Sequence, residues 1–145
     1  MSRKVNGGIY PTMLVAYDKQ NKIDYTAMRA LIEWYIAEGV HGIFALCHST
    51  EIHCLSLNER LGLAKFVIKQ VAGRVPVVIA GVTANTMEGQ LTEAPLFAAL
   101  KPDALVLISN RLCTPGKCDM IDNLKRIMKV LPEDLPLPLH FANLP

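Results

Sequence analysis

The densest group of reactive side chains is the run Cys47-His48-Ser49-Thr50-Glu51, followed closely by His53 and Cys54. An imidazole exchanges protons near neutral pH, and a neighbouring hydroxyl can bind a carboxylate. His48 and Ser49 are therefore the candidates for catalysis, with Ser49 and Thr50 also placed to bind substrate. The competing reading is a capped loop whose polar residues are simply solvated. Cys47, His48, His53 and Cys54 are zinc-ligand types as well, but the spacing C-H-x4-H-C is not an established ligand pattern, so no metal is expected. A second group is Asn110-Arg111. The guanidinium fork matches a carboxylate, which makes Arg111 a substrate-binding candidate against the plainer reading of a surface arginine. Pro11-Thr12 offers either a hydroxyl or a turn. Asn85 and Thr86 read as helix caps. Cys113 and Cys118 read as plain loop thiols in a reducing compartment.

These residues need elements to hold them. Short apolar runs alternate with amphipathic stretches along the chain. Strands are expected at 8–14, 42–46, 75–80, 104–108 and 137–142, the first and last weakened by Pro11 and Pro138. Between them, Met28, Leu31, Ile32, Tyr35 and Ile36 form one helical stripe, capped by Asp24 and stopped by Gly39. Ser56 and Glu59 form an S-x-x-E capping box for a second helix carrying Leu57, Leu61, Ala64, Ile68 and Val71, ended by Gly73. A third helix spans about 86–100. A fourth runs from about Met120 to Val130, with Leu124, Ile127 and Met128 facing inward. The order β-α-β-α-β-α-β-α-β, at roughly 30 residues per unit, implies right-handed parallel crossovers. An open doubly wound sheet and part of a (β/α)8 barrel both fit. In either, chemistry gathers at the C-terminal strand ends, where His48–Glu51 and Arg111 fall.

Composition narrows the function classes. The chain has 145 residues, 51% of them hydrophobic and 19% charged, with a formal net charge of +2. That excludes a disordered tail, and the charge is too small to argue for nucleic acid. No run approaches the ~20 apolar residues of a membrane span. No Gly-x-Gly-x-x-Gly or P-loop is present, so no cofactor is expected. The basic N-terminal residues lead into no apolar run, so a cytosolic protein is expected. A complete barrel needs about 250 residues. Ending directly after a fifth strand suggests residues 1–145 are the N-terminal part of one barrel domain; pairing with a second copy, or a complete open domain, are the alternatives.

An ordered set of segments carries a family resemblance: Ile23-Asp24-Tyr25, Glu38-Gly39-Val40-His41-Gly42-Ile43, Leu55-Ser56-Leu57-Asn58-Glu59-Arg60, Val71-Ala72-Gly73-Arg74-Val75-Pro76-Val77, Gly81-Val82-Thr83-Ala84-Asn85-Thr86, Pro102-Asp103-Ala104 and Asn143-Leu144-Pro145. Together they resemble the dihydrodipicolinate synthase / N-acetylneuraminate lyase family. The resemblance implies an α/β fold, a (β/α)8 barrel of which this chain covers five strands and four helices, assembled as a homo-oligomer (dimer or tetramer). It implies a lyase that acts on pyruvate or a related 2-oxo acid through a Schiff-base lysine. Such a lysine belongs to a sixth strand, beyond Pro145; the lysines here fall in the N-terminal arm, loops or helices. The family's Gly-Thr-Thr-Gly-Glu loop matches Cys47-His48-Ser49-Thr50-Glu51: Ser49 keeps a hydroxyl, Glu51 keeps the acid, and His48 replaces the first threonine. The family's proton-relaying tyrosine falls on Ala142, or on Phe141 with a one-residue slip. Such departures point to a divergent branch. The 145 residues alone are expected to lack Schiff-base catalysis, and the alternative is a non-catalytic half-barrel remnant or binding module that assembles with a partner.

Overall fold

The computed structural model describes residues 5, 7–113, 119–136 and 139–140. Helix α1 spans Tyr25–Ala37, and Asp24 accepts hydrogen bonds at its start from the N–H groups of Thr26 and Ala27 at 2.9 and 3.0 Å. Gly39 closes it at φ +75, a left-handed conformation that glycine adopts without a Cβ penalty. Helix α2 spans Leu57–Val71 behind the complete Ser56–Glu59 capping box. Helix α3 spans Met87–Ala98, with Thr86 accepting from the Gly89 N–H at 3.1 Å, and α4 spans Met120–Met128. The half-exposed Glu33 on α1 meets Arg74 at 2.7 Å and receives Gln70; these bonds hold its carboxyl down at about 2 and fasten α1 to the end of α2.

Five short strands are paired: β1 (Ile43–Ala45), β2 (Val77–Ile79), β3 (Ala104–Leu105), β4 (Leu107–Ile108) and β5 (Leu139–His140). β1 pairs with β2, β2 with β3 and β4 with β5, all parallel. The segment 104–108, expected as one strand, divides at Val106. Its first half binds β2 and its second half binds β5. The stretch 8–14 falls short of a strand. It touches β1 through one parallel bridge, Thr12 to Phe44, with Met13 N–H donating to Phe44 O at 2.8 Å. Pro11 has no N–H to give the neighbouring strand, and the ladder fails there.

Neighbours in the described sheets are therefore neighbours in sequence, with no reversal of order. The helices also pack in sequence, α1 on α2, α2 on α3 and α3 on α4. One layer of helices on one face is what same-handed crossovers produce in a barrel wall. A doubly wound sheet would place helices on both faces.

The strands sort their side chains by alternation. Ile43, Ala45, Val77, Ile79, Leu105 and Leu107 join the main core beneath the helices. Phe44, Val78, Ala80, Ala104 and Val106 form a second apolar cluster with Tyr10 on the opposite face. A sheet buried on both faces needs continuous apolar strands, and these strands have them.

Some helix faces differ from expectation. On α2 the buried residues are Arg60, Leu63, Ala64, Val67 and Val71, while Leu57, Leu61 and Ile68 pack only partly against the core. On α4, Asn123 and Ile127 are buried and Met128 is 53% exposed, because the Asn123 amide turns inward to the Leu112 carbonyl at 2.8 Å. Ile79 is fully buried, so Ile79→Ala should cost about 2–5 kcal/mol in urea unfolding. Met128→Ala should stay within about 0.5 kcal/mol.

Candidate functional site

The loops that follow β1, β2 and β4 converge on one end of the sheet. After β1, Leu46 takes a left-handed φ of 57 and Cys47 turns inward and is buried. The chain then forms two single 3-10 turns, His48–Thr50 and Ile52–Cys54, hinged at Glu51, which also has a positive φ. Thr50 is buried and its hydroxyl donates to the Cys47 carbonyl at 2.5 Å. Ser49 and Glu51 are exposed, and His48 is half-buried. His53 Nε2 lies 2.8 Å from His48 Nδ1, with ring centroids 4.7 Å apart. Of the sequence candidates, Ser49 is open to solvent, His48 is half-buried with its Nε2 shielded, and the Thr50 hydroxyl is committed to the turn itself.

The loop after β2 is held by a buried ion pair. Arg60 on α2 meets Glu93 on α3 in two parallel bonds, 2.7 Å from NH2 to Oε1 and 3.1 Å from NH1 to Oε2. The same NH1 donates to the Gly81 carbonyl. Glu93 Oε2 then accepts the N–H groups of Thr83 and Ala84 at 2.8 and 3.1 Å. Burial pushes the Glu93 carboxyl up. The Arg60 guanidinium and the two backbone N–H groups outweigh burial and hold the carboxyl below its usual range. Gly81 lies against the Phe97 ring, where a Cβ would collide, so the loop leaves β2 hard against α3.

The loop after β4 closes the group. Arg111 NH1 donates to the Thr83 carbonyl at 2.7 Å and to the Asn85 side-chain oxygen. Gln90 on α3 donates to the Arg111 carbonyl at 2.7 Å. Asn85, expected as a helix cap, instead holds Arg111, and Thr86 alone caps α3. Arg111 is therefore not a loose surface arginine. Partial desolvation holds the ring of the largely exposed His53 below its ordinary value, helped by the positive charges of Arg111 and Arg60. Tyr17, in the loop before α1, belongs to the same end. Burial pushes its phenol up, with added contributions from Glu51, Cys54 and Glu59.

Sequence reasoning missed Arg60, Glu93, Gln90 and His53 as a set. The only available signal was a charged residue on an otherwise apolar helical stripe, at Arg60 and at Glu93. Cys118, Phe141 and Ala142 lie outside the described residues, and nothing is described for the Asn110 side chain. Cys47 and Cys54 are free thiols. Among the described residues, no three His, Cys, Asp or Glu side chains group as metal ligands. Nor, among the described residues, is any helix long and apolar enough to cross a membrane.

Comparison with known proteins agrees with this layout. Residues 5–139 match the Dihydrodipicolinate synthetase family. A 4-hydroxy-tetrahydrodipicolinate synthase of Polynucleobacter asymbioticus is 28% identical over 144 residues, 99% of this chain and 45% of the relative. A crystal structure of the chloride-inhibited dihydrodipicolinate synthase from Acinetobacter baumannii, complexed with pyruvate, superposes with a TM-score of 0.83 at 22% identity, covering 93% of this chain and 45% of that one. The N-acetylneuraminate lyase of Mycoplasma synoviae gives 0.75 at 20%, covering 95% and 47%. These solved structures have the (β/α)8 barrel fold. The chain spans less than half the length of each of these relatives.

The Arg60–Glu93 pair makes two predictions. Glu93→Gln leaves Arg60 buried without its counter-charge and should lose about 3–5 kcal/mol in urea unfolding. Acid should act in two stages. The fold disfavours the protonated form of both His53 and Glu93, so the folded chain binds fewer protons than the unfolded one and stability falls as pH falls. The His53 stage begins below about 6.5 and the Glu93 stage below about 4.3. Melting temperatures measured from pH 8 to 2 should show both, and His53→Gln should remove the first.

Proposed function

The chain belongs to the dihydrodipicolinate synthetase family, and on that premise we propose that it is the N-terminal part of a single (β/α)8-barrel lyase acting on pyruvate or a related 2-oxo acid. The Schiff-base lysine would come from sequence beyond Pro145. The observation that carries this reading is the convergence of the loops after β1, β2 and β4, with Arg111 fixed across two of them. In a barrel that end receives the substrate.

In this reading Arg111 binds a substrate carboxylate. Its NH1 is engaged by Thr83 and Asn85, which fixes the plane of the guanidinium and so the direction in which its remaining N–H groups point. The Ser49 hydroxyl supplies a second, neutral donor. Thr50 contributes by shaping the turn that presents Ser49, through its bond to Cys47. His48 exchanges the proton that a phenol would otherwise carry, since Ala142 and Phe141 have no hydroxyl. An iminium formed on the lysine acts as the electron sink, and the groups described here hold the acid and move the proton.

Incubation of the full-length protein with pyruvate and borohydride, followed by intact-mass measurement, tests the reading. A reduced pyruvyl adduct is expected. A full-length protein that traps no 2-oxo acid would instead support a binding module built on half of the barrel wall. Arg111→Met should raise KM for the 2-oxo acid about 10–100-fold, the worth of a charge-assisted bond of about 1.5–3 kcal/mol.

A further inference from the structure

A cavity of about 480 Å3 lies at the other end of the sheet from the loops after β1, β2 and β4. It opens between the two segments that lead into β3 and β5. One wall is the end of α3 and the turn below it. The other is the turn between α4 and β5. Both walls are held by backbone bonds. Asp103 donates its N–H to the Val77 carbonyl at 2.9 Å, and its Oδ2 accepts the Val77 N–H at 2.8 Å. Leu105 N–H donates to the Pro136 carbonyl at 3.0 Å, and Leu135 N–H to the Pro132 carbonyl at 3.2 Å. Prolines at 102, 132 and 136 fix φ in the same two turns. The cavity therefore exists before any ligand arrives, and little ordering is left to oppose binding. Its volume suits a small molecule.

The lining carries both signs of charge on an apolar surface. Ala98 and Pro102 from one wall and Leu135 and Pro136 from the other supply the apolar part. Lys101 brings an ammonium, and Asp103 and Asp134 bring carboxylates. Lys101 and Asp134 are exposed, and Asp103 is half-buried. Among the described residues, the Lys101 ammonium forms no ion pair with either carboxylate, although all three groups line one cavity. Opposite charges that share a cavity without meeting leave room between them for a ligand that carries both.

We propose that this cavity binds a small zwitterion, an α-amino acid with an apolar side chain. The ligand carboxylate pairs with Lys101, and its ammonium with Asp103 and Asp134. Its side chain lies against Ala98, Pro102, Leu135 and Pro136. A lone anion would face two carboxylates, and a lone amine would face the Lys101 ammonium, so each half of the ligand is disfavoured without the other. The inference does not rest on the lyase reading, because the cavity stands at the opposite strand ends from the loops assigned to substrate.

The test uses the full-length protein, with thermal melting and titration calorimetry against L-alanine, L-valine, L-proline, L-leucine and L-methionine. At about 10 mM, at least one should raise the melting temperature by about 1–3 °C. The amine and the acid made by removing its carboxylate or its ammonium (isoamylamine and isocaproate for leucine) should bind about tenfold more weakly or worse. Lys101→Met and Asp134→Asn should each weaken binding at least about tenfold. Both positions are exposed, so the melting temperature of the unliganded protein should stay nearly unchanged. Silence from all five amino acids, equal binding of the amine or the acid alone, or affinity untouched by both substitutions would overturn the proposal. These readouts need no turnover, and the borohydride experiment judges the lyase reading separately.

Discussion

The arrangement of the loops after β1, β2 and β4 depends on one buried ion pair. Arg60 and Glu93 sit on neighbouring helices, α2 and α3, and are themselves almost fully buried. A bidentate guanidinium–carboxylate pair offsets the cost of removing both charges from water only when the remaining bonding capacity is also filled. Here the Gly81 carbonyl takes a guanidinium N–H, and the Thr83 and Ala84 N–H groups reach the carboxylate. The pair thus joins two helices and fixes the loop between β2 and α3. The Thr83 carbonyl on that same loop then receives Arg111. Packing between α2 and α3 is in this way transmitted to the direction of a side chain on a different loop.

The sheet imposes the second constraint. Because the strands pair in sequence order, each loop after a strand lies next to the loop of the following unit. Alternation sends one set of side chains to the helices and the other to the opposite apolar cluster, so neither face can tolerate a polar register. Val106, between β3 and β4, is where the chain stops pairing with one neighbour and begins with the next.

The exposed loop after β1 shows how local geometry prepares reactive groups without deep burial. Two 3-10 turns meeting at Glu51 bring His53 back over His48, five residues earlier. The buried Thr50 hydroxyl holds the first turn, and partial desolvation, with the charges of Arg111 and Arg60, biases the second histidine toward neutrality. Cys47 lies buried beneath.

Much was legible in the sequence alone. Capping residues at Asp24, Ser56–Glu59 and Thr86 fixed the helix starts, because a cap is a bond between a side chain and backbone only a few residues away. Apolar runs fixed the strands at 43–45, 77–79 and 104–108, because burial on both faces requires them. The order of segments supplied the family. Other features needed the tertiary structure. Pairing order, which separates barrel from doubly wound sheet, is a relation between segments some thirty residues apart. The Arg60–Glu93 pair joins residues 33 apart in the chain, and Asn85 meets Arg111 26 residues away. The inward turn of Asn123 that leaves Met128 in solvent depends on a carbonyl in another loop. Local periodicity carries no information on such contacts, since their energy arises only when separate elements have packed.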